Sequence, residues 1–297
     1  MTNNAQQSGA ALISALFITA LTAIIATALM MSQRLLIHQA ALVTNTDQMY
    51  LDLQGVQDWA EAIIIKNADL QKIKPLHKNF YGTHISGHIY PQGGLFNINC
   101  LLQTENQPRF IHLLRGVIPN ITTRQAGNIA TAVSEWLLPS QADDYYVRQH
   151  PPYRAPHRLM VNISELRAVR GITAPMYAAL KPYITALPSQ QYHVDVNYAP
   201  IPVLLTLSDK MNLAQAQLLY ACRKEHGLFN STTDYIKLCS MNTPLDVGNI
   251  TVDEKYYIVR GSAKRSTQQL SLTSLLLKYA DSNNHTAARI AWQELGG

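Results

Sequence analysis

The sequence predicts an α+β fold in which a long N-terminal helix and a small antiparallel sheet are interrupted by a large inserted helical domain. An uncharged apolar segment, residues 10–31, runs into an amphipathic stripe before the first proline. Two stretches rich in β-forming residues lie far apart, within residues 84–99 and 256–277. Several short segments between them begin with helix-capping residues. If the two β stretches share one sheet, the helical segments form an insertion.

The N-terminal helix is predicted from two consecutive patterns. Residues 10–31 carry no charge, and about 20 apolar residues suffice to cross the hydrocarbon core of a bilayer. Further along, apolar residues follow at alternating steps of four and three, as on one face of a helix. These residues are Met49, Leu53, Val56, Ala60 and Ile63. Both parts fit one helix of about 60 residues, half in lipid and half packed on a soluble sheet.

A short polar leader, residues 1–9, precedes the apolar segment and ends in Gly9. A leader that ends in glycine and runs straight into an apolar helix resembles a type IV prepilin signal. That resemblance implies a membrane peptidase that cuts between Gly9 and Ala10 and methylates the new N-terminus. The leader departs from the usual pattern because it contains no Lys or Arg. An uncleaved single-pass anchor is the alternative interpretation.

The predicted sheet draws on both ends of the soluble part. Residues 84–90 alternate, a glycine-rich turn follows, and residues 95–99 continue, which predicts a β-hairpin. Near the C-terminus, residues 256–259 lead to a glycine and residues 270–277 return, which predicts two more strands. The last residues, 281–297, are polar and are predicted to form a frayed tail.

The insertion is predicted to consist of short capped helices. Ser, Thr and Asn side chains accept hydrogen bonds from the free N–H groups of a first helical turn. The predicted caps are Thr122 or Thr123, Ser164, Thr173, Asn197, Asn212 and Ser231. Helices of this length and spacing indicate two small helical modules, residues 101–192 and 193–249.

Both modules look like helix-hairpin-helix units, and the second resembles the repeats of competence DNA receptors. Such units hold phosphate with the backbone N–H groups of a glycine-rich hairpin. The second hairpin, residues 208–211, has no glycine and contains an acid, and the first keeps only Gly171. Arg170 and Lys210 could touch phosphate, but two cations bind DNA weakly. No nucleic-acid partner is expected. A type IV pilus minor pilin or DNA-uptake component is the alternative function.

Composition and motifs give no indication of an enzyme. The net charge of +5 comes from scattered residues rather than from a basic run. The sequence contains no G-x-S-x-G, H-E-x-x-H, P-loop or G-x-G-x-x-G motif. Of three cysteines, none forms a C-x-x-C pair, which argues against zinc. Cys222 and Cys239 lie close enough in sequence to bridge in an oxidising compartment, with buried free thiols as the alternative.

Six short motifs follow one another along the chain. They are Gly93-Gly94-Leu95-Phe96-Asn97-Ile98-Asn99, Asp143-Asp144-Tyr145-Tyr146, Pro151-Pro152-Tyr153-Arg154-Ala155, Ser164-Glu165-Leu166, Val169-Arg170-Gly171 and Val196-Asn197-Tyr198-Ala199-Pro200. Each motif alone is weak, but together and in this order they resemble the type II secretion minor pseudopilin K (GspK) family.

The resemblance implies a pilin-like fold whose insertion is built of two SAM-like modules. It implies a structural subunit without enzymatic activity, placed at the tip of the pseudopilus that exports proteins across the outer membrane. The implied partners are the minor pseudopilins I, J and H and the prepilin peptidase. The implied location is the bacterial inner membrane, crossed once, with the C-terminal domain in the periplasm.

Two further expectations follow from the resemblance. Most pilins carry Glu at the fifth residue after the cut, where it pairs with the N-terminal amine of a neighbouring subunit inside lipid. This chain has Ser14 there, and a tip subunit has no subunit above it whose amine needs a partner. Family members also bind calcium, here through Asp143 and Asp144, although residues 136–141 lack the acids that the family often shows. No other cofactor is expected.

The predicted organisation therefore has seven parts. They are a leader at 1–9, a transmembrane helix at 10–31, a pseudopilin helix and first hairpin at 32–100, helical modules at 101–192 and 193–249, C-terminal strands at 250–280 and a tail at 281–297.

Overall fold

The computed structural model describes residues 4–66, 69–70, 72–138, 144–239 and 245–296, with residues 4–11 and 144 described through their backbone alone. Asp143, one of the two predicted calcium ligands, lies outside the described residues.

The first helix, α1 (Asn4–Ile65), is a single helix of 62 residues, as the sequence predicts. At 1.5 Å per residue it is about 93 Å long. Its side chains are exposed from Leu12 to Thr44, and its C-terminal part packs on the soluble body. Its buried apolar residues are Met49, Leu53, Val56, Ala60 and Ile64. The predicted stripe is confirmed except at its last position, where a step of four from Ala60 buries Ile64 instead of Ile63.

Nine stretches of the described chain are strands. They are β1 (Leu76–Phe80), β2 (Thr83–Pro91), β3 (Phe96–Asn97), β4 (Ile184–Thr185), β5 (Val194–Asp195), β6 (Ile250–Thr251), β7 (Tyr256–Arg265), β8 (Gln268–Ala280) and β9 (Thr286–Gly296). The main sheet is antiparallel, in the order β1-β2-β7-β8-β9. Two short parallel pairs, β3 with β4 and β5 with β6, lie in the insertion.

The helix α1 approaches the main sheet closely because two glycines face it. Gly87 in β2 and Gly261 in β7 lie directly opposite each other in the ladder. A Cβ on Gly87 would lie 2.6 Å from Cγ1 of Val56, and one on Gly261 would lie 2.8 Å from Cδ2 of Leu53. Only glycine leaves room for the helix at this crossing.

The predicted hairpin around the glycine-rich turn is wrong. β2 pairs with β1 and β7, not with residues 95–99. Gly93 and Gly94 instead lead the chain out of the sheet and into the insertion. The actual hairpin joins β1 to β2 through Tyr81 and Gly82, which have φ of 44° and 81°. Positive φ at both central residues is the pattern of a type I′ turn, whose twist matches that of the two strands.

The prediction of a frayed tail over residues 281–297 is also wrong. Residues 286–296 form β9, which pairs with β8 along its length apart from one bulge at Leu275/Leu276. The strand lies at the edge of the sheet, so its outer side meets water and tolerates the polar sequence that suggested a tail.

The insertion occupies residues 92–255, between β2 and β7, and is mostly helical as predicted. Its α-helices are α2 (Gln107–Val117), α3 (Thr123–Leu137), α4 (Asp144–Val147), α5 (Ala174–Leu180), α6 (Ile201–Leu204), α7 (Leu213–His226) and α8 (Thr232–Cys239). One continuous hydrophobic core, from Phe96 to Ile250, contains residues of both predicted modules. Because the two predicted modules share that core, packing does not mark a boundary between them, and the boundary at residue 192 stays a prediction.

Four predicted caps are confirmed and two are wrong. Thr122, Thr173, Asn212 and Ser231 accept hydrogen bonds from the first turns of α3, α5, α7 and α8. The turn predicted to start at Ser164 is a 3-10 helix capped by Asn162. Asn197 caps no helix, because its side chain binds the backbone of Phe229.

Candidate functional site

The N-terminal half of α1 is long and apolar enough to cross a membrane. One candidate membrane span begins at Leu12, with a mean hydropathy of 2.3 in its most apolar window and none of that window buried in the protein. Its threonine hydroxyls donate to carbonyls one turn back, as from Thr19 to Leu16 and from Thr22 to Thr19, both at 2.9 Å. The hydroxyl of Thr27 does the same toward Ile24 at 2.8 Å. Because these donors are satisfied within the helix, they add little cost in lipid.

The predicted cleavage residues, Gly9 and Ala10, lie within the first turns of α1. Ser14 follows one turn later, where the family pattern would place an acid. The chain is helical across this point. The cleavage itself stays a prediction.

The predicted glycine-rich motif marks the point where the chain leaves the sheet. A Cβ on Gly94 would lie 2.5 Å from the carbonyl carbon of Tyr198 and 2.7 Å from the nitrogen of Ala199. Tyr198 and Ala199 belong to another predicted motif, so two motifs distant in sequence are in backbone contact. Only glycine permits this approach.

The asparagines of the same motif tie the insertion together internally. Asn97 donates from Nδ2 to the carbonyl of Ser189 at 2.7 Å, and its Oδ1 accepts from the N–H of Leu187 at 3.0 Å. Asn99 donates to the carbonyls of Met160 and Leu187 at 2.9 and 2.8 Å. Both asparagines are buried. Buried amides with satisfied donors and acceptors fix chain positions, and these do so without any catalytic geometry.

The motif at Val196–Pro200 has a comparable structural role. Asn197 accepts from the N–H of Phe229 at 2.8 Å and donates to its carbonyl at 2.9 Å. Arg223 of α7 donates to the carbonyls of Val196 and Ala199, both at 2.7 Å. The cation thereby satisfies two buried acceptors next to the exit from the sheet.

Two buried acids at this place were missed by sequence reasoning. Glu254 precedes β7 and is 5% exposed, and Asp195 in β5 is fully buried. The carboxylate of Glu254 accepts from the N–H of Gly93, and the backbone N–H of Asp195 donates to the carbonyl of Gly93. We call the contact of Gly93, Asp195 and Glu254 the joint. The sequence feature that could have revealed them is an acid within a short run of strand-forming residues, as in Val194-Asp195-Val196.

The predicted acidic and aromatic motifs meet in an aromatic cluster. Tyr146 is buried with its ring centroid 5.0 Å from that of Trp136 and 5.4 Å from that of Tyr153. The hydroxyl of Tyr153 donates to the carbonyl of Ala168 at 2.9 Å. This cluster lies within the first predicted module, close in sequence to the acids Asp143 and Asp144 that were expected to bind calcium.

The described residues do not assemble a calcium site by themselves. Among them, no three His, Cys, Asp or Glu side chains converge as a metal centre. Asp144 is the first residue of α4, with its backbone alone described. Calcium needs about six oxygen ligands, so calcium binding stays a prediction without a donor set to support it.

The structure joins Cys222 and Cys239 as a disulfide. Their Cα atoms are 5.6 Å apart, and the bond connects α7 to α8. Cys100 is a buried free thiol in the core of the insertion, where burial raises the pKa of the thiol far above its usual value. A buried thiol of this kind is unreactive.

The two cations considered for phosphate binding differ in their surroundings. The Arg170 guanidinium lies 2.7 Å from Oε2 of Glu135 and 5.5 Å from the ring centroid of Tyr145. Lys210 is exposed on the second hairpin. Because the guanidinium of Arg170 is already paired with a carboxylate, it is less available to a phosphate.

Comparison with known proteins gives one consistent family. Residues 94–189 match the family model described as "Type II secretion system (T2SS), protein K". A type II secretion system protein K from Pseudomonas aeruginosa is 24% identical over 95% of this chain and 92% of the relative. One from Aeromonas hydrophila is 29% identical, but that match covers only 48% of this chain and 50% of the relative.

A solved structure shares the fold. It is the crystal structure of the GspK-GspI-GspJ complex from the enterotoxigenic Escherichia coli type 2 secretion system. The superposition has a TM-score of 0.72 and 17% identity, and it covers 87% of this chain and 99% of the other.

Proposed function

We propose that this chain is a member of the type II secretion system protein K family and that it is a minor pseudopilin at the tip of a type II secretion pseudopilus, where it helps to begin assembly. The observation that carries the proposal is that the two halves of α1 have different surroundings. The N-terminal, apolar half is exposed, and the C-terminal half packs on the main sheet.

The position of the insertion supports a place at the tip. The membrane-near end of the sheet is marked by Ala263, which packs with Met49 and Leu53. The opposite end is marked by Tyr257, which packs with Ala60 and Ile64 further along α1. β2 ends and β7 begins at this far end. The insertion therefore extends from the side away from the anchor, where it would block another subunit from stacking above.

The anchor supports a location in the inner membrane with the folded body in the periplasm. The bare apolar half of α1 is long enough to cross a bilayer once. An oxidising periplasm would also preserve the Cys222–Cys239 disulfide. Cleavage and methylation by the prepilin peptidase, between Gly9 and Ala10, belong to the same proposal.

The proposed partners are the minor pseudopilins I and J, with H below them. The solved structure that shares this fold is itself a complex of K with I and J. The absence of an acid at Ser14 suits a subunit with nothing above it. The asparagine, aspartate and glutamate side chains in the buried network hold chain segments together, and we propose no catalytic activity for the protein.

A secretion assay tests this function. In a strain lacking the gene, exoproteins should still reach the periplasm but should fail to appear in the medium. Expression of the intact chain should restore export. Normal secretion in the deleted strain would overturn the proposal.

A further inference from the structure

The end of the main sheet that faces the apolar half of α1 carries two hairpin turns. One turn joins β1 to β2, and the other joins β7 to β8. The turns are neighbours because His84, near the start of β2, pairs with Lys264, near the end of β7. Residues 78–83 and 264–268 together form this end of the sheet, and we call them the rim.

The rim lies at a defined level of α1. The side chain of Gln268 donates from Nε2 to Oγ1 of Thr46 at 3.5 Å. Thr46 is about 22 Å along the helix from Met31, where the uncharged apolar segment ends. Exposed apolar side chains continue through this interval, at Leu35, Leu36, Ile37, Leu42 and Val43. The helix therefore stays largely apolar almost to the level of the rim.

The length of this apolar part favours a tilted anchor. From Ala10 to Val43, interrupted by Arg34 and His38, α1 is about 50 Å long at 1.5 Å per residue. The hydrocarbon core is about 30 Å thick, and the headgroups add about 5–7 Å on each side. An apolar helix that is longer than the bilayer accommodates the difference by tilting. Tilting lowers one side of the soluble body toward the headgroups, and the rim is at the end of the sheet that faces them.

Two aromatic side chains project from the rim. Phe80 is 51% exposed and Tyr81 is 82% exposed, and their ring centroids are 4.6 Å apart. Tyr81 has a φ of 44°, which bulky side chains rarely adopt and for which a hairpin turn favours Asn or Gly. Packing within the protein does not explain a strained tyrosine that is mostly exposed. Aromatic rings favour the interface between headgroups and hydrocarbon.

Three cations accompany these rings. Lys78 and Lys264 are exposed and Arg265 is half-exposed. Among the described residues, none of the three forms an ion pair. On α1, the exposed acid Asp47 follows Thr46, so positive charge prevails at this level. Lysine and arginine near an anionic membrane surface are attracted to its lipids.

We propose that the rim rests on the anionic headgroup surface of the membrane that α1 crosses. Phe80 and Tyr81 enter the headgroup layer, and Lys264 and Arg265 lie beside lipid phosphates. This second attachment fixes the orientation of the soluble body about α1. The inference rests on the proposed membrane anchor, but not on the place at the tip or on the partners.

Spin labelling of the full chain in lipid nanodiscs tests the inference. A nitroxide at Thr267→Cys reports from the rim, and one at Asn283→Cys, in the exposed turn between β8 and β9, reports from the opposite end of the sheet. The natural free thiol, Cys100, is buried and does not compete for the label. The ratio of oxygen to nickel-complex accessibility rises where a label meets lipid. In discs of phosphatidylcholine with about one-third phosphatidylglycerol, we expect this ratio to be at least about threefold higher at residue 267 than at residue 283.

Substitutions assign the contact to the rim. Tyr81→Asn removes the ring with a residue that suits the turn, and it should lower the ratio at residue 267 at least about twofold. Lys264→Gln combined with Arg265→Gln should lower the ratio to its value in pure phosphatidylcholine. Tyr279→Ser, the matched control, removes a tyrosine that is 41% exposed near the far end of β8, and it should leave the ratio unchanged.

Co-elution of the chain with the discs tests the anchor separately. A chain that inserts but gives equal, water-like ratios at residues 267 and 283 overturns the inference and leaves the proposed function standing. A chain that does not enter the discs overturns both the anchor and the contact. A high ratio that the rim substitutions do not lower also contradicts the inference. If those substitutions instead release the minor pseudopilins I and J while the ratio stays constant, the rim is a protein contact and the inference is wrong.

Discussion

At the scale of single residues, glycines and buried asparagines hold segments that are distant in sequence in contact with one another. Gly94 is in contact with the backbone of Tyr198 and Ala199, and Asn97 and Asn99 hydrogen-bond segments about 60 to 90 residues away. The motifs containing these residues could be recognised in the sequence. Their roles could not, because the partners are backbone atoms brought together only by the complete fold.

Gly9 carries the prediction that concerns processing. A residue with almost no side chain lets the backbone approach a protease closely. Replacing Gly9 with Val should leave the full-length precursor in the inner membrane, because residues 10–31 still insert. Intact mass measurement should show a native chain that begins at Ala10 and a variant that begins at Met1. Ser8→Ala, as a control next to the bond, should be cut normally. A native chain that begins at Met1 would reduce this segment to an uncleaved anchor.

Two buried acids could not be recognised as important from the sequence. Asp195 and Glu254 looked like ordinary acids, since neither belongs to a recognisable ligand or catalytic pattern. Their importance comes from burial beside Gly93, and burial of an acid depends on contacts between segments about 60 to 160 residues apart.

At the scale of elements, the contact between α1 and the main sheet joins the N-terminal helix to the soluble body. The periodicity of apolar residues predicted this helix well, because a face of period 3.6 is a local property. The strands were less predictable. The hairpin was assigned to the wrong turn because Gly93-Gly94 has turn chemistry but serves as an exit, and β9 was missed because a polar edge strand resembles a tail.

Gly87 provides the test of that contact. Gly87→Ala would place a Cβ 2.6 Å from Cγ1 of Val56, and the overpacking should lower the free energy of unfolding by about 1–3 kcal/mol. Gly55→Ala is the matched control, since nothing lies within 4 Å of its Cβ position on α1. This control should raise stability by up to about 1 kcal/mol, because alanine favours helix. Urea unfolding in micelles measures both, and an unchanged Gly87→Ala variant would contradict the described crossing.

At the scale of the whole molecule, the anchor and the insertion lie at opposite ends of the sheet. The sequence predicted this combination of a membrane helix, a small sheet and a helical insertion. It could not give the shared core of the two helical modules, which depends on packing between α2 and the segment around α6. The molecule therefore has an exposed apolar helix at one end and the folded insertion at the other.

Co-purification from membranes tests most directly whether this chain is the K subunit of a pseudopilus tip. The full chain, carrying an affinity tag at its C-terminus, would be expressed with the minor pseudopilins I and J of the same organism and extracted in mild detergent. We predict that I and J are retained in equal amounts with the tagged chain and that they pass through the resin when it is left out. Recovery of the tagged chain alone, with I and J in the flow-through although all three are folded and in the membrane, would contradict the account.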